Sequence, residues 1–288
     1  MQSAVSSDNN NPSVQSILIN WSLKSKNFVV TGGSLGIGYE TVRSLLANGA
    51  SGVVICSRRE CTDTVNKLQD EFPNSSVHAV ACDVSTEDGR SKLVSEVKKQ
   101  FGTKLHGLVN NVGVNVRKTV MEQTTEEYHN ILRTNIDSAY FLSKSLKEML
   151  ANAAAETGSS STIVNVASAA GVVSSGTGAV YGMSKAAMIQ LTKNLACEWA
   201  KLNIRVNAVA PWMTMTPLLE DAVKSNPSQL DKVKEWTPMH RLGTPEEVAG
   251  PITFLCMPSS GYMTGQCLSI DGGLTAQGFD GPCVTPQD

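Results

Sequence analysis

Short runs of β-branched and other apolar residues recur along the chain from residue 27 onward, separated by polar stretches of helical period. The runs are Phe28–Thr31, Val53–Cys56, Val77–Cys82, Leu108–Asn110, Ile163–Val166, Ile204–Ala210 and Cys267–Ile270. Each is apolar almost throughout rather than alternating, as expected of strands buried on both faces, and the intervening segments are long enough for crossover helices. The pattern predicts an α/β fold: one domain with a doubly wound parallel sheet of about seven strands and helices on both faces. Two helix starts are marked. Thr124 and Glu127 have capping-box spacing, and Thr244 and Glu247 repeat it with Pro245 at the first helical position. The domain is expected over residues 22–279, after a flexible arm (1–21) rich in Ser, Asn and Gln and before a short tail (280–288). Residues 212–244, interrupted by Pro217, Pro227 and Pro238, form the one long insertion and read as a substrate lid.

The stretch Thr31-Gly32-Gly33-Ser34-Leu35-Gly36-Ile37-Gly38 follows the first strand and opens a helix with Val42, Leu45 and Leu46 on one face. Glycines there let the backbone turn tightly and approach a pyrophosphate, which free amides and the positive helix end then hold. This makes the sheet Rossmann-type and Gly32, Ser34, Leu35, Gly36, Ile37 and Gly38 candidate dinucleotide contacts. About twenty residues on, where NAD-binding proteins carry an acid against the ribose, the chain has Ser57-Arg58-Arg59. Guanidinium groups suit the 2′-phosphate of NADP, so NADP(H) is expected; the nearby Glu60 keeps NAD(H) as the less favoured alternative.

Tyr181 and Lys185 stand four apart in a helical stretch and share a face; Tyr140 and Lys144 have the same spacing. Their settings differ. Tyr140 sits deep in the helix begun at Thr124, as core or interface, whereas Tyr181 follows a Gly/Ser-rich loop after the fifth strand, with Ser168 at that strand's carboxyl end. In doubly wound sheets that is the ligand edge. A Lys ammonium about 5 Å away would lower the phenol by on the order of two pKa units, bringing Tyr181 toward the range of a working acid, while Ser168 polarises a carbonyl.

Composition narrows the partners. The chain has 288 residues, 41% hydrophobic and 17% charged, enough for a large core. Its 24 basic and 26 acidic residues (net −2) leave no cationic surplus for nucleic acid or an anionic membrane. No apolar run has transmembrane length, and the N-terminus resembles neither a signal nor a transit peptide. Seven cysteines without a Cys-x-x-Cys pair read as reduced core residues of a cytoplasmic protein, and four scattered histidines lack metal-ligand spacing.

With these motifs the chain resembles the short-chain dehydrogenase/reductase family, and over residues 22–279 its tropinone-reductase-like branch. The resemblance implies Asn135, Ser168, Tyr181 and Lys185 as catalytic residues. It further implies cofactor contacts at Asp83, Val84, Asn111, Val112, Gly113, Tyr181, Lys185, Pro211, Trp212, Met213, Thr214 and Thr216, and a homodimer or homotetramer. In the family the asparagine holds a water linking the lysine to solvent. Three positions depart from it: Leu35 where many NADP-dependent members carry Arg or Lys, Val112 for alanine, and Trp212 for glycine, an indole that would wall the substrate pocket. Arg117 and Gly178 occupy pocket-lining positions of this branch, and Val172, Trp212, Met215 and Leu218 add an apolar lining, supplemented by Val114, Val116, Val173, Met213 and Trp236. The expected activity is NADPH-dependent reduction of a hydrophobic ketone to a secondary alcohol. Two alternatives are a 3-oxoacyl-[acyl-carrier-protein] reductase and a catalytically silent dinucleotide-binding regulator. An inward Arg117 would repel cationic tropinone and favour neutral or anionic ketones.

Overall fold

The structure is a computed structural model in which residues 19–224 and 227–278 are described. The expected arm lies largely outside them, as do the expected tail, Cys283 and the side chain of Leu218.

Seven parallel strands lie in the order β3-β2-β1-β4-β5-β6-β7: β1 (Asn27–Thr31), β2 (Gly52–Ser57), β3 (Ser76–Ala81), β4 (Gly107–Asn110), β5 (Ser161–Val166), β6 (Ile204–Pro211) and β7 (Cys267–Ile270). Each overlaps one apolar run. The continuous hydrophobicity has a direct cause, because neighbouring residues of one strand feed opposite cores. Val30, Val53 and Ile55 face one, and Val29, Val54 and Cys56 the other.

Helices α1 (Gly36–Ala47), α2 (Thr62–Glu71) and α9 (Pro245–Cys256) close the first core with Leu45, Leu68 and Ile252. The second is closed by α3 (Glu87–Phe101), α5 (Ser138–Thr157) and α6 (Ala179–Trp199) through Leu93, Leu146 and Leu195. A short α4 (Thr125–Leu132) runs into α5, and both expected capping boxes form, at Thr124/Glu127 and Thr244/Glu247. The insertion folds as α7 (Pro217–Val223) and α8 (Asp231–Trp236), returning to the sheet where Thr214 bridges Gly243. Chain order reverses between β1 and β4, which places the ligand crevice at their carboxyl ends.

Candidate active site

The turn from β1 into α1 is stitched to the end of β4. The Thr31 hydroxyl accepts the amides of Asn111 (2.9 Å) and Val112 (3.1 Å), and Asn111 Nδ2 donates to the Thr31 carbonyl (2.9 Å). Gly32 and Gly36 have φ of +66° and +55°, a region glycine reaches without strain. A Cβ on Gly38 would lie 2.2 Å from the Gly32 oxygen and 2.6 Å from Asn111 Nδ2, so only glycine fits. Leu35, 69% exposed, starts α1 without a side-chain cap, and no acid stands in the first turn. The uncapped end offers amides and a positive dipole to an anion, flanked by the half-buried Ser34 and Ile37. Arg58 and Arg59 lie exposed after β2 with no ion pair among the described residues, and Ser57 Oγ accepts the Arg59 amide (3.3 Å). Asp83 is exposed after β3, while Val84 is buried. Across the crevice, the Thr216 methyl would lie 3.2 Å from a Cβ on Gly36, so the segment after β6 reaches the glycine turn. A dinucleotide phosphate fits this cradle.

Ser168 follows β5, and one turn of α6 carries Tyr181 and Lys185 into the same crevice. Ser168 is near enough to the Tyr181 phenol to act on it, and the Ser168 hydroxyl oxygen accepts the Ala170 amide (3.2 Å). Lys185, buried, donates to the Val166 carbonyl (2.8 Å), with Nζ 5.7 Å from the centre of the Tyr181 ring. The electrostatics correct the sequence expectation. Burial raises the Tyr181 phenol above its ordinary value, offset in part by the nearby Ser168 hydroxyl and by the charge of Arg117. Burial likewise pulls Lys185 down to about 8. Desolvation, which the sequence does not display, outweighs attraction here.

Asn135 arrives by a local irregularity: between α4 and α5 the helix makes one π-turn, Arg133–Asp137. Its Oδ1 accepts the Val114 amide (2.8 Å), and its Nδ2 donates to the Val114 carbonyl and to Ser184 Oγ (both 3.0 Å). Both amide hydrogens are thus used, and water on this side chain is restricted to the remaining lone pair of Oδ1. Beside it, a Cβ on Gly113 would lie 3.6 Å from Asn135 Oδ1 and 3.2 Å from Lys185 Nζ, so glycine keeps open a gap between the two. Ser184 escaped the sequence reading; its hydroxyl donates to the Tyr181 carbonyl (2.7 Å) and couples Asn135 to the tyrosine's own turn. Its place three residues after Tyr181 was the available signal.

The pocket residues separate into two groups. A cavity of about 790 Å³ opens beside the Ser168–Tyr181 pair, not over it; Arg117, Val172, Val173 and Gly178 line it together with Met183 and Ala186. Trp212 and Met213 line a second cavity of about 340 Å³ at the ends of β6 and β7. The Trp212 indole donates to Thr237 Oγ1 (3.1 Å), so it anchors the insertion in addition to any walling role. Thr214 is buried, and Met215 holds the segment through its amide to the Gly243 carbonyl (2.8 Å). Trp236 is largely exposed. Tyr140 is no core residue either: it is 44% exposed on α5, edge-on to Phe141. Cys197, expected in the core, is also exposed, and no disulfide or metal-ligand cluster occurs among the described residues.

A Rossmann-type sheet with a Ser–Tyr–Lys constellation at its carboxyl edge defines a nucleotide-dependent oxidoreductase. The chain belongs to the short-chain dehydrogenase/reductase family, on its tropinone-reductase-like branch. A family model described as enoyl-(acyl carrier protein) reductase matches residues 32–275. A tropinone reductase homolog from Arabidopsis thaliana is 43% identical over 261 residues, covering 90% of this chain and 96% of the relative. Among solved structures, the Pseudomonas aeruginosa RhlG/NADP active-site complex is 30% identical with a TM-score of 0.81, covering 89% of this chain and 99% of that one. A gluconate 5-dehydrogenase from Burkholderia cenocepacia J2315 in complex with NADP and tartrate is 26% identical with a TM-score of 0.81, covering 91% and 99%. No described helix is long and apolar enough to cross a membrane.

Proposed function

We propose that the protein is an NADPH-dependent carbonyl reductase acting on hydrophobic ketones. The observation that carries this reading is the convergence of Ser168, Tyr181 and the buried Lys185 at the crevice, with Lys185 Nζ 5.7 Å from the Tyr181 ring centre. The uncapped end of α1 and the unpaired Arg58 and Arg59 support NADP(H), which two of the similar solved structures also hold. When bound, NADPH supplies the hydride. Ser168, with an acceptor site occupied by the Ala170 amide, turns its hydroxyl to the substrate carbonyl and polarises it. Tyr181 Oη gives its proton to the oxygen as negative charge develops there, and Lys185, still mostly an ammonium at pH 7, stabilises the phenolate left behind. The gap at Gly113 leaves room for water between Lys185 Nζ and Asn135, through which the proton is replaced.

Residues 212–244 serve as the lid. The exposed Tyr140 and Phe141 suit a homodimer or homotetramer, and the free thiols a reducing compartment such as the cytoplasm. Tropinone is a cation and gluconate an anion, so the relatives leave substrate charge to local residues. Tyr181→Phe tests the assignment: NADPH binding should persist, followed by its fluorescence, while ketone reduction falls at least about a hundredfold. Near-normal turnover would overturn it, and a comparable loss in Tyr140→Phe would move the acid to the other pair. An acyl thioester in the same assay tests the carrier-protein alternative. Loss of NADPH oxidation with every carbonyl compound would favour the silent regulator.

A further inference from the structure

Arg117 stands where the catalytic crevice opens into the 790 Å³ cavity. It lines that cavity, its Nη2 approaches Met213 Sδ (3.8 Å) in the segment after β6, and its charge reaches the Tyr181 phenol. Its charged neighbours are satisfied: Lys118 pairs with Glu127 at 2.6 Å, and the Glu122 carboxylate receives the Thr119 amide (3.1 Å) and hydroxyl (2.7 Å). Arg117 makes no ion pair among the described residues. A guanidinium beside a thioether is an open two-pronged donor for a carboxylate. Beyond it, Val120, Val172, Val173 and Met183 give the cavity apolar walls.

Building on the reductase reading above, we propose that Arg117 selects oxo acids: ketones whose carboxylate pairs with Arg117 while the carbonyl meets Ser168 and Tyr181 and an apolar tail lies in the cavity. The reaction balances as a two-electron reduction. Hydride from NADPH and a proton from Tyr181 convert C=O to CH–OH, NADP⁺ is released, and the carboxylate is unchanged. A cationic ketone of similar size is repelled by the same charge.

The test compares kcat/KM for 4-oxodecanoate, its methyl ester and 4-oxopentanoate. Wild type should prefer the acid over its ester by at least about tenfold, the scale of one charged hydrogen-bonded pair. Arg117→Ala should bring the acid-to-ester ratio close to one, with Arg117→Lys intermediate. Met183→Trp, which fills the cavity, should remove the advantage of 4-oxodecanoate over 4-oxopentanoate. An ester reduced as well as its acid by wild type, or equal losses for both in Arg117→Ala, would overturn the assignment. Should no ketone be reduced, the reductase reading fails by itself. Binding of 4-oxodecanoate to the NADP⁺-loaded protein, followed by tryptophan fluorescence, then decides the role of Arg117: about tenfold weaker binding in Arg117→Ala sustains anion selection, and equal binding refutes it.

Discussion

Between Thr31 and Gly38 the backbone is held on every side, by Asn111, by the Thr31 hydroxyl and by the carbonyl that a Gly38 side chain would strike. The rim formed by residues 117–122 and 170–179 is built the other way. Its apolar side chains Val120, Met121, Val172 and Val173 are exposed, and its polar groups bond mainly within the rim, as Thr119 does with Glu122. One region accepts a single shape of ligand because a misplaced atom meets backbone. The other tolerates change because its side chains face open space. Residues of the first should therefore respond to substitution all at once, and residues of the second through substrate preference.

Gly38→Ala is the sharpest challenge to that contrast. The added methyl cannot clear the Gly32 carbonyl without moving the turn, so we expect several kcal/mol of lost stability, read by thermal melting, together with loss of NADPH binding. A well-folded variant that still binds NADPH would mean the turn is as adaptable as the rim.

Lys185→Met comes next and should divide activity from stability. Burial holds the Lys185 ammonium at about 8 instead of 10.5, so the folded protein binds its proton less readily than the unfolded chain. The penalty is complete below pH 8 and fades between about pH 8 and 10.5, so this group makes stability rise with pH across that window. Removing it should cut reduction at least about a hundredfold, raise stability at pH 7 by about 1–2 kcal/mol after allowing for the orphaned Val166 carbonyl, and flatten that rise. In the wild type, reduction should decline above about pH 8 as the ammonium is lost. A variant less stable than wild type at pH 7 would show that the Val166 bond outweighs desolvation.

Arg58→Ala is a smaller change at the exposed edge of the rigid region. NADPH affinity should weaken by about 1–3 kcal/mol, with NADH nearly unchanged, in paired titrations. Equal losses would make the arginine structural. At the far end of the scale, Met121→Ser on the rim, where the side chain is almost wholly exposed, should shift stability by less than about 0.5 kcal/mol. A larger loss would mean that the rim is packed after all.

The same contrast decided what could be read from the chain. Strands such as Val53–Cys56 announced themselves because both faces are buried, and the helices at Thr124 and Thr244 because a cap needs particular side chains at a fixed spacing. Tyr181 was separable from Tyr140 by its place after β5 alone. Other features depend on how distant segments meet. Neither the lowered Lys185 nor the raised Tyr181 is visible without burial, and the turn of the Trp212 indole toward Thr237 depends on how the insertion folds back. Nor does anything in Arg133–Asp137 spell out a π-turn, since backbone pairing and not residue type defines it.

That π-turn makes chain length itself a heritable constraint. One residue more than an α-helix requires lies between α4 and α5, and it is what turns Asn135 to Val114 and Ser184. Deleting a single residue from the stretch would let the ladder close into uninterrupted α-helix, while rotating everything before the deletion by about 100° relative to everything after it. Substitutions in 133–137 that spare Asn135 can drift across generations with modest effect, but an in-frame loss of one codon there would produce a sound helix and take Asn135 out of the proposed proton path.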